Sequence, residues 1–177
     1  DINTLRELFA KHPGQIACVM MEAATATEPA EGYLQQVQEF CRKEGAVFVL
    51  DEMITGFRWH LGGAQKFYGI KPDLATFGKA LGNGFSVSAL VGKREIMQLG
   101  GLNHDKPRVF LLSLTHGAES HAMAAARAVI ETYRKFPVIE QMWRQGEKLR
   151  AGLEQAIAKN GVTGYFAVLG RPCNLVY

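Results

Sequence analysis

Cysteine is scarce in this sequence: three residues in 177, Cys18, Cys41 and Cys173, widely spaced and with no C-x-x-C pair. An odd, dispersed three excludes a disulfide framework and agrees with a cytoplasmic protein, where thiols stay reduced. Cys18 lies inside an apolar run and reads as a small buried hydrophobe. Histidine is equally thin. The nearest pair, His116 and His121, is five apart, which turns the rings away from a common helical face, so no metal site is expected. No apolar stretch reaches the roughly 18 residues of a membrane span, and Asp1-Ile2-Asn3-Thr4 does not read as a signal peptide. Nor is there an excess of one charge. The 20 Lys+Arg against 17 Asp+Glu leave +3, too little and too scattered to argue for nucleic acid or a membrane surface. What is present is 47% apolar residues, enough to bury a sizeable core in one domain, or one domain plus part of another.

The pattern along the chain alternates strands with helices. Thr4-Leu5-Arg6-Glu7 is a capping-box pattern opening a short helix that His12-Pro13-Gly14 stops. The unbroken apolar run Ile16–Met21 is expected of a strand covered on both faces. Tyr33 to Glu44 has helical spacing and ends at Gly45, and Ala46–Leu50 is a second buried strand ending at Asp51. A short helix over Ala64–Tyr68 precedes a third strand, Leu74–Phe77, and then the glycine-rich loop Gly78–Gly84. Ser88–Gly92 and Val109–Leu112 are further strand candidates. Long helices are expected over about 117–136 and about 138–159, separated by Pro137, with strand-like segments at 162–169 and 174–177. This order implies an α/β fold, a mostly parallel sheet flanked by helices. Residues 1–136 are expected to form part of one domain and 137–177 the incomplete start of an α+β second one. Both ends look cut, so a piece of a longer protein is expected.

Ligands of open α/β sheets bind beyond the carboxyl ends of the strands. Glu22, Asp51 and Lys79 fall at or just after three such ends. An acid and a lysine meeting at one sheet edge suit pyridoxal 5′-phosphate (PLP). There the lysine amine forms a Schiff base with the cofactor aldehyde, and a carboxylate keeps the pyridine nitrogen protonated, so that the ring accepts electrons. The plainer readings stand beside this one: Asp51 as a turn cap, Lys79 as an exposed lysine or a phosphate ligand. The loop at 78–84 completes neither a P-loop nor a G-x-G-x-x-G pattern. On spacing alone the choice stays open.

Longer motifs decide it. Leu50-Asp51-Glu52-Met53-Ile54-Thr55-Gly56-Phe57-Arg58, Tyr68-Gly69-Ile70-Lys71-Pro72-Asp73-Leu74 and Thr76-Phe77-Gly78-Lys79-Ala80-Leu81-Gly82-Asn83-Gly84 resemble the class III aminotransferases. Within that family the resemblance is greatest to the glutamate-1-semialdehyde aminotransferase (aminomutase) branch. It extends over essentially the whole chain and implies the middle and later part of a longer fold-type-I PLP enzyme. By the resemblance, Lys79 is the Schiff-base lysine, Asp51 binds the pyridine nitrogen, and Met53 or Ile54 packs near the ring. Glu22 matches the acid of the family's V-E-P segment, although Met21-Glu22-Ala23-Ala24 lacks that proline. Thr115 aligns with the threonine that binds the cofactor phosphate across a homodimer interface. A place at the N-terminus of a long helix would suit an anion there, and would equally suit a plain N-cap.

The implied activity is transfer of an amino group between a small amine or amino acid and an aldehyde or ketone, by ping-pong half-reactions. A 2,1-aminomutase would use the same chemistry within one molecule. The segment Thr115-His116-Gly117-Ala118-Glu119-Ser120 departs from the T-L-S-G-N-P pattern of the aminomutases, which favours the transaminase. A reading of another class is a non-catalytic fragment or scaffold module that does not retain PLP. Intact Lys79 and Asp51 argue against it.

Overall fold

The computed structural model describes residues 1–101, 103–107, 115–117 and 119–177. Helix α1 (Ile2–Lys11) starts earlier than the Thr4 capping box suggests, because Asp1 is the cap and accepts the Asn3 N–H at 2.9 Å. Strand β1 (Cys18–Glu22) leads through a loop to α2 (Tyr33–Glu44), then to β2 (Val47–Asp51), α3 (Gly63–Tyr68) and β3 (Leu74–Phe77). A single 3-10 turn, Lys79–Leu81, follows β3, and β4 (Ala89–Gly92) returns. The order in the sheet is β1-β2-β3-β4; β1, β2 and β3 run parallel and β4 antiparallel. After α4 (Arg94–Met97) come α5 (Ser120–Lys135) and α6 (Val138–Lys159), then a hairpin of β5 (Leu169–Arg171) and β6 (Asn174–Val176). The strand expected at Val109–Leu112 lies outside the described residues, and the one expected over 162–169 does not form, only Leu169 of it entering β5.

One face of the sheet carries the core. Phe48 and Leu50 of β2 bury against Leu34, Val37 and Cys41 of α2 and Ala64 of α3, with Val19 and Met21 packed alongside. Burying such side chains is worth about 1.5–3 kcal/mol each. The opposite face buries Val49 but is otherwise largely open, which corrects two expectations. Cys18 and Met20 of β1 point to that face and are exposed rather than covered, whereas Val19 and Met21 point to the core. The buried thiol is that of Cys41, pushed up to about 11 by burial first and by the charge of Asp73 second.

The final hairpin docks on the first part of the chain. The Trp143 indole of α6 donates to the Arg58 carbonyl at 2.9 Å, and the Trp59 indole donates to Asn174 at 3.1 Å. Gly146 of α6 is buried because its Cα faces the Pro172 backbone, and any Cβ there would strike that carbonyl. Arg171 pairs with Glu28, whose other carboxylate oxygen accepts from the Tyr68 hydroxyl. Burial works to raise the Glu28 carboxyl, but the Tyr68 hydrogen bond and the ion pair with Arg171 outweigh it and hold it below its usual range. A carboxyl lowered in the folded state stabilises fully above its unfolded value and loses that contribution as pH falls through the folded one. Glu28→Gln is therefore expected to flatten the acid limb of the stability curve below about pH 4. Parallel acid limbs in variant and parent, followed by circular dichroism, would count against this.

Candidate active site

Register brings the predicted acids together. Glu22 of β1 pairs with Asp51 of β2, and Asp51 with Thr76 of β3, so all three side chains leave the sheet on one face at its carboxyl edge. That face is the open one. Asp51 Oδ1 accepts the Met53 N–H at 2.8 Å and the Thr76 hydroxyl at 3.2 Å. Among the described residues Oδ2 has no hydrogen bond, so an acceptor is presented at a fixed place. A shallow cleft of about 310 Å³ opens there, lined by Met20, Asp51, Met53, Thr76, Phe77, Ser88, Ala89 and Leu90. Of the two candidates for ring contact, Met53 lines the cleft. Ile54 instead offers its carbonyl to the Arg58 guanidinium at 2.9 Å.

Lys79 follows two residues after β3. Its φ is +44°, a conformation costing a non-glycine residue about 1–3 kcal/mol and tolerated where surroundings impose it. Its carbonyl accepts from the N–H groups of Gly82 and Asn83, closing the turn, and the Met53 thioether packs on Gly78 just before it. The Asp51 hydrogen bond that holds Met53 thus also steadies the approach to Lys79. The lysine side chain is exposed.

Thr115 lies elsewhere than the helix start. α5 begins at Ser120 with Glu119 at its cap, so Thr115 belongs to the preceding turn and gains no helix N-terminus. The Glu119 carboxylate lies 3.1 Å from His116 Nδ1 and 3.3 Å from His121 Nε2. Thr115 lines a second cleft of about 480 Å³ with Ser86, Ser88, His116 and Glu119. Ser88 borders both clefts, a placement with no signal in the sequence beyond a small polar residue entering a strand.

Glu52 is the residue whose role the sequence hid. It adjoins Asp51 but is fully buried. Its carboxylate accepts the Thr55 hydroxyl at 2.5 Å and the N–H groups of Ala64 and Gln65 at 2.7 and 2.8 Å, capping α3 from a distance. Gly63, with φ +76°, leaves room for that carboxylate, which any Cβ would strike. Glu52→Ala strands these three donors and the Gln65 side-chain amide, and is expected to cost about 3 kcal/mol, read as a fall in Tm. A change within about 0.5 kcal/mol would refute the capping role.

The donor set suits a PLP site: a presented carboxylate oxygen, an apolar cleft wall, and a lysine on a strained turn at the next strand end. Comparison with known proteins agrees. An omega-transaminase from Sphaerobacter thermophilus shares 29% identity over 97% of this chain and 39% of its own, with a TM-score of 0.80. The FumI protein of Sphingopyxis sp. MTA144, in its PLP internal aldimine form, shares 28% over 91% and 39%, at 0.78. N-acetylornithine aminotransferase from Stenotrophomonas maltophilia K279a shares 27% over 99% and 44%, at 0.75. The chain spans about two fifths of the length of these structures. With residues 2–170 matching the family described as Aminotransferase class-III, the chain belongs to the class III aminotransferases.

Proposed function

We propose that this chain carries the lysine and the carboxylate of a PLP-dependent transaminase, which moves an amino group between a small amine or amino acid and an aldehyde or ketone. The observation that supports it best is Asp51, pinned through one oxygen at the open sheet edge, with Lys79 on a strained turn beyond the neighbouring strand. When bound, PLP supplies an aldehyde that takes up the amine and a ring that accepts electrons. Asp51 would hold a proton at the pyridine nitrogen, Lys79 would take and return the substrate proton, and Met53 would close the apolar side of the cleft. Glu22, three strands from Ser88 on the same edge, is proposed on the substrate side. Transfer between two molecules, rather than within one as in the glutamate-1-semialdehyde aminomutases, is supported by the segment at 115–120 and by the transaminases among the similar structures. The domain division at 136/137 and a cytoplasmic location belong to the same proposal. The purified protein is expected to be yellow and to bleach with borohydride. A colourless protein that takes up no added PLP would favour the non-catalytic module instead.

The proposed assembly is a homodimer in which Thr115 reaches the partner's cofactor phosphate. Mixing Lys79→Ala subunits with Thr115→Val subunits tests this. In a heterodimer both lesions fall in one site, and the other site is expected to regain activity. No recovery in verified heterodimers places Thr115 outside the partner's site.

A further inference from the structure

The loop that leaves Glu22 has no regular structure over Ala23–Gly32. Its first two residues, Ala23 and Ala24, are buried in the core, and further on its polar tethers run to distant parts of the chain. The Ala26 carbonyl accepts the Gly170 N–H at 3.0 Å. Glu28 Oε1 lies 2.7 Å from Arg171 Nε, off the line of the N–H, so that this contact is an ion pair rather than an aligned hydrogen bond. Glu28 Oε2 takes the Tyr68 hydroxyl.

Arg171 is itself enclosed. Its guanidinium carbon stands 4.4 Å from the Phe67 ring centre, 4.6 Å from Trp59 and 5.6 Å from Trp143, and its side chain is 20% exposed. Cation–π attraction over three rings holds the charge in place, and planar guanidinium suits such stacking better than an ammonium. The box is built from α3, α6 and the loop after β2. Since Glu52 caps α3, the same helix is tied at its start to the Asp51 loop and at its end, through Phe67 and Tyr68, to Arg171 and Glu28.

We propose that Arg171 is a positioning residue for the substrate side of the site: through Glu28 it sets the course of the loop leaving Glu22, and through the aromatic box it refers that course to the Asp51 loop. The physical reason is where the loop is held. Packing fixes Ala23 and Ala24, and beyond them a stretch without regular structure takes its long-range restraint from Tyr68 and from the C-terminal hairpin, through Gly170 and Arg171. The proposal rests on the transaminase reading for its kinetic consequence, but not for its structural one.

The test uses the PLP-loaded protein and Arg171→Met, which keeps apolar volume in the box and removes the charge. Two readouts are taken: amide exchange at 23–32, and steady-state amino transfer from L-alanine to 2-oxoglutarate or, in a separate arm, from 1-phenylethylamine to pyruvate. Exchange is expected to rise about tenfold at 23–32 while the β1 and β2 amides stay protected. KM is expected to rise about tenfold with kcat nearly unchanged, because the loop orients substrate without touching the reacting atoms. Arg171→Lys should recover part of both. Glu28→Gln, which leaves the box intact, should reproduce the loop exchange if Arg171→Met fails to fold. A lower Tm with unchanged loop exchange overturns the proposal, as does higher exchange with unchanged KM in an arm that reacts. If borohydride fixes no PLP at Lys79 of the parent protein, the transaminase reading is what fails, and the exchange result still decides the loop.

Discussion

Lys79→Ala is expected to lower amino transfer by at least about three orders of magnitude, since the proposed function has one amine both hold the cofactor and shuttle the proton. The fold should survive the change. Lys79 is exposed, and what shapes its turn is the backbone: its carbonyl bonds to Gly82 and Asn83, and Met53 seated on Gly78. Removing the side chain at φ +44° leaves the strain in place, so Tm should move little. A second readout is independent of turnover. Borohydride should fix PLP to the parent chain at Lys79, seen as a mass increase on that peptide, and should fix none to the variant. Near-normal turnover by Lys79→Ala without added amine would sink the assignment.

Asp51→Asn is the second large effect. An asparagine keeps Oδ1 as acceptor for the Met53 N–H and the Thr76 hydroxyl, so the strand end should stay as it is. What is lost is the charge proposed to keep a proton on the pyridine nitrogen. The cofactor should remain bound while the rate falls by about three decades, or ~4 kcal/mol of transition-state stabilisation. The contrast with Glu52→Ala separates the neighbouring acids. One should lower rate without stability, the other stability first. If Asp51→Asn kept its rate and lost stability, Asp51 would be no more than a cap for the turn at Met53.

The sequence by itself determined most of the local elements and singled out the two residues proposed for the site. α2 and α6 were legible because their apolar residues recur at helical spacing and glycine or asparagine ends them, both short-range effects. Asp51 and Lys79 were legible because each follows a strand that ends abruptly, inside motifs long enough to resemble a family. Tertiary structure decided everything that depends on which face is covered and on residues far apart in the chain. An apolar run cannot say whether helices pack on both its faces, so Cys18 was read as buried where Cys41 is. Adjacent acids look alike in a sequence, and only alternation across a sheet with one covered face sends Asp51 to the cleft and Glu52 to the N-terminus of α3. The start of α5 moved from about 117 to Ser120, because Ala118 and Glu119 suit a helix interior, and composition alone does not mark where the first turn closes. Arg171 gave no signal at all. Its partners Glu28, Trp59, Phe67 and Tyr68 stand more than 100 residues away and meet it only because Gly146 lets the final hairpin approach α6 closely enough to reach them.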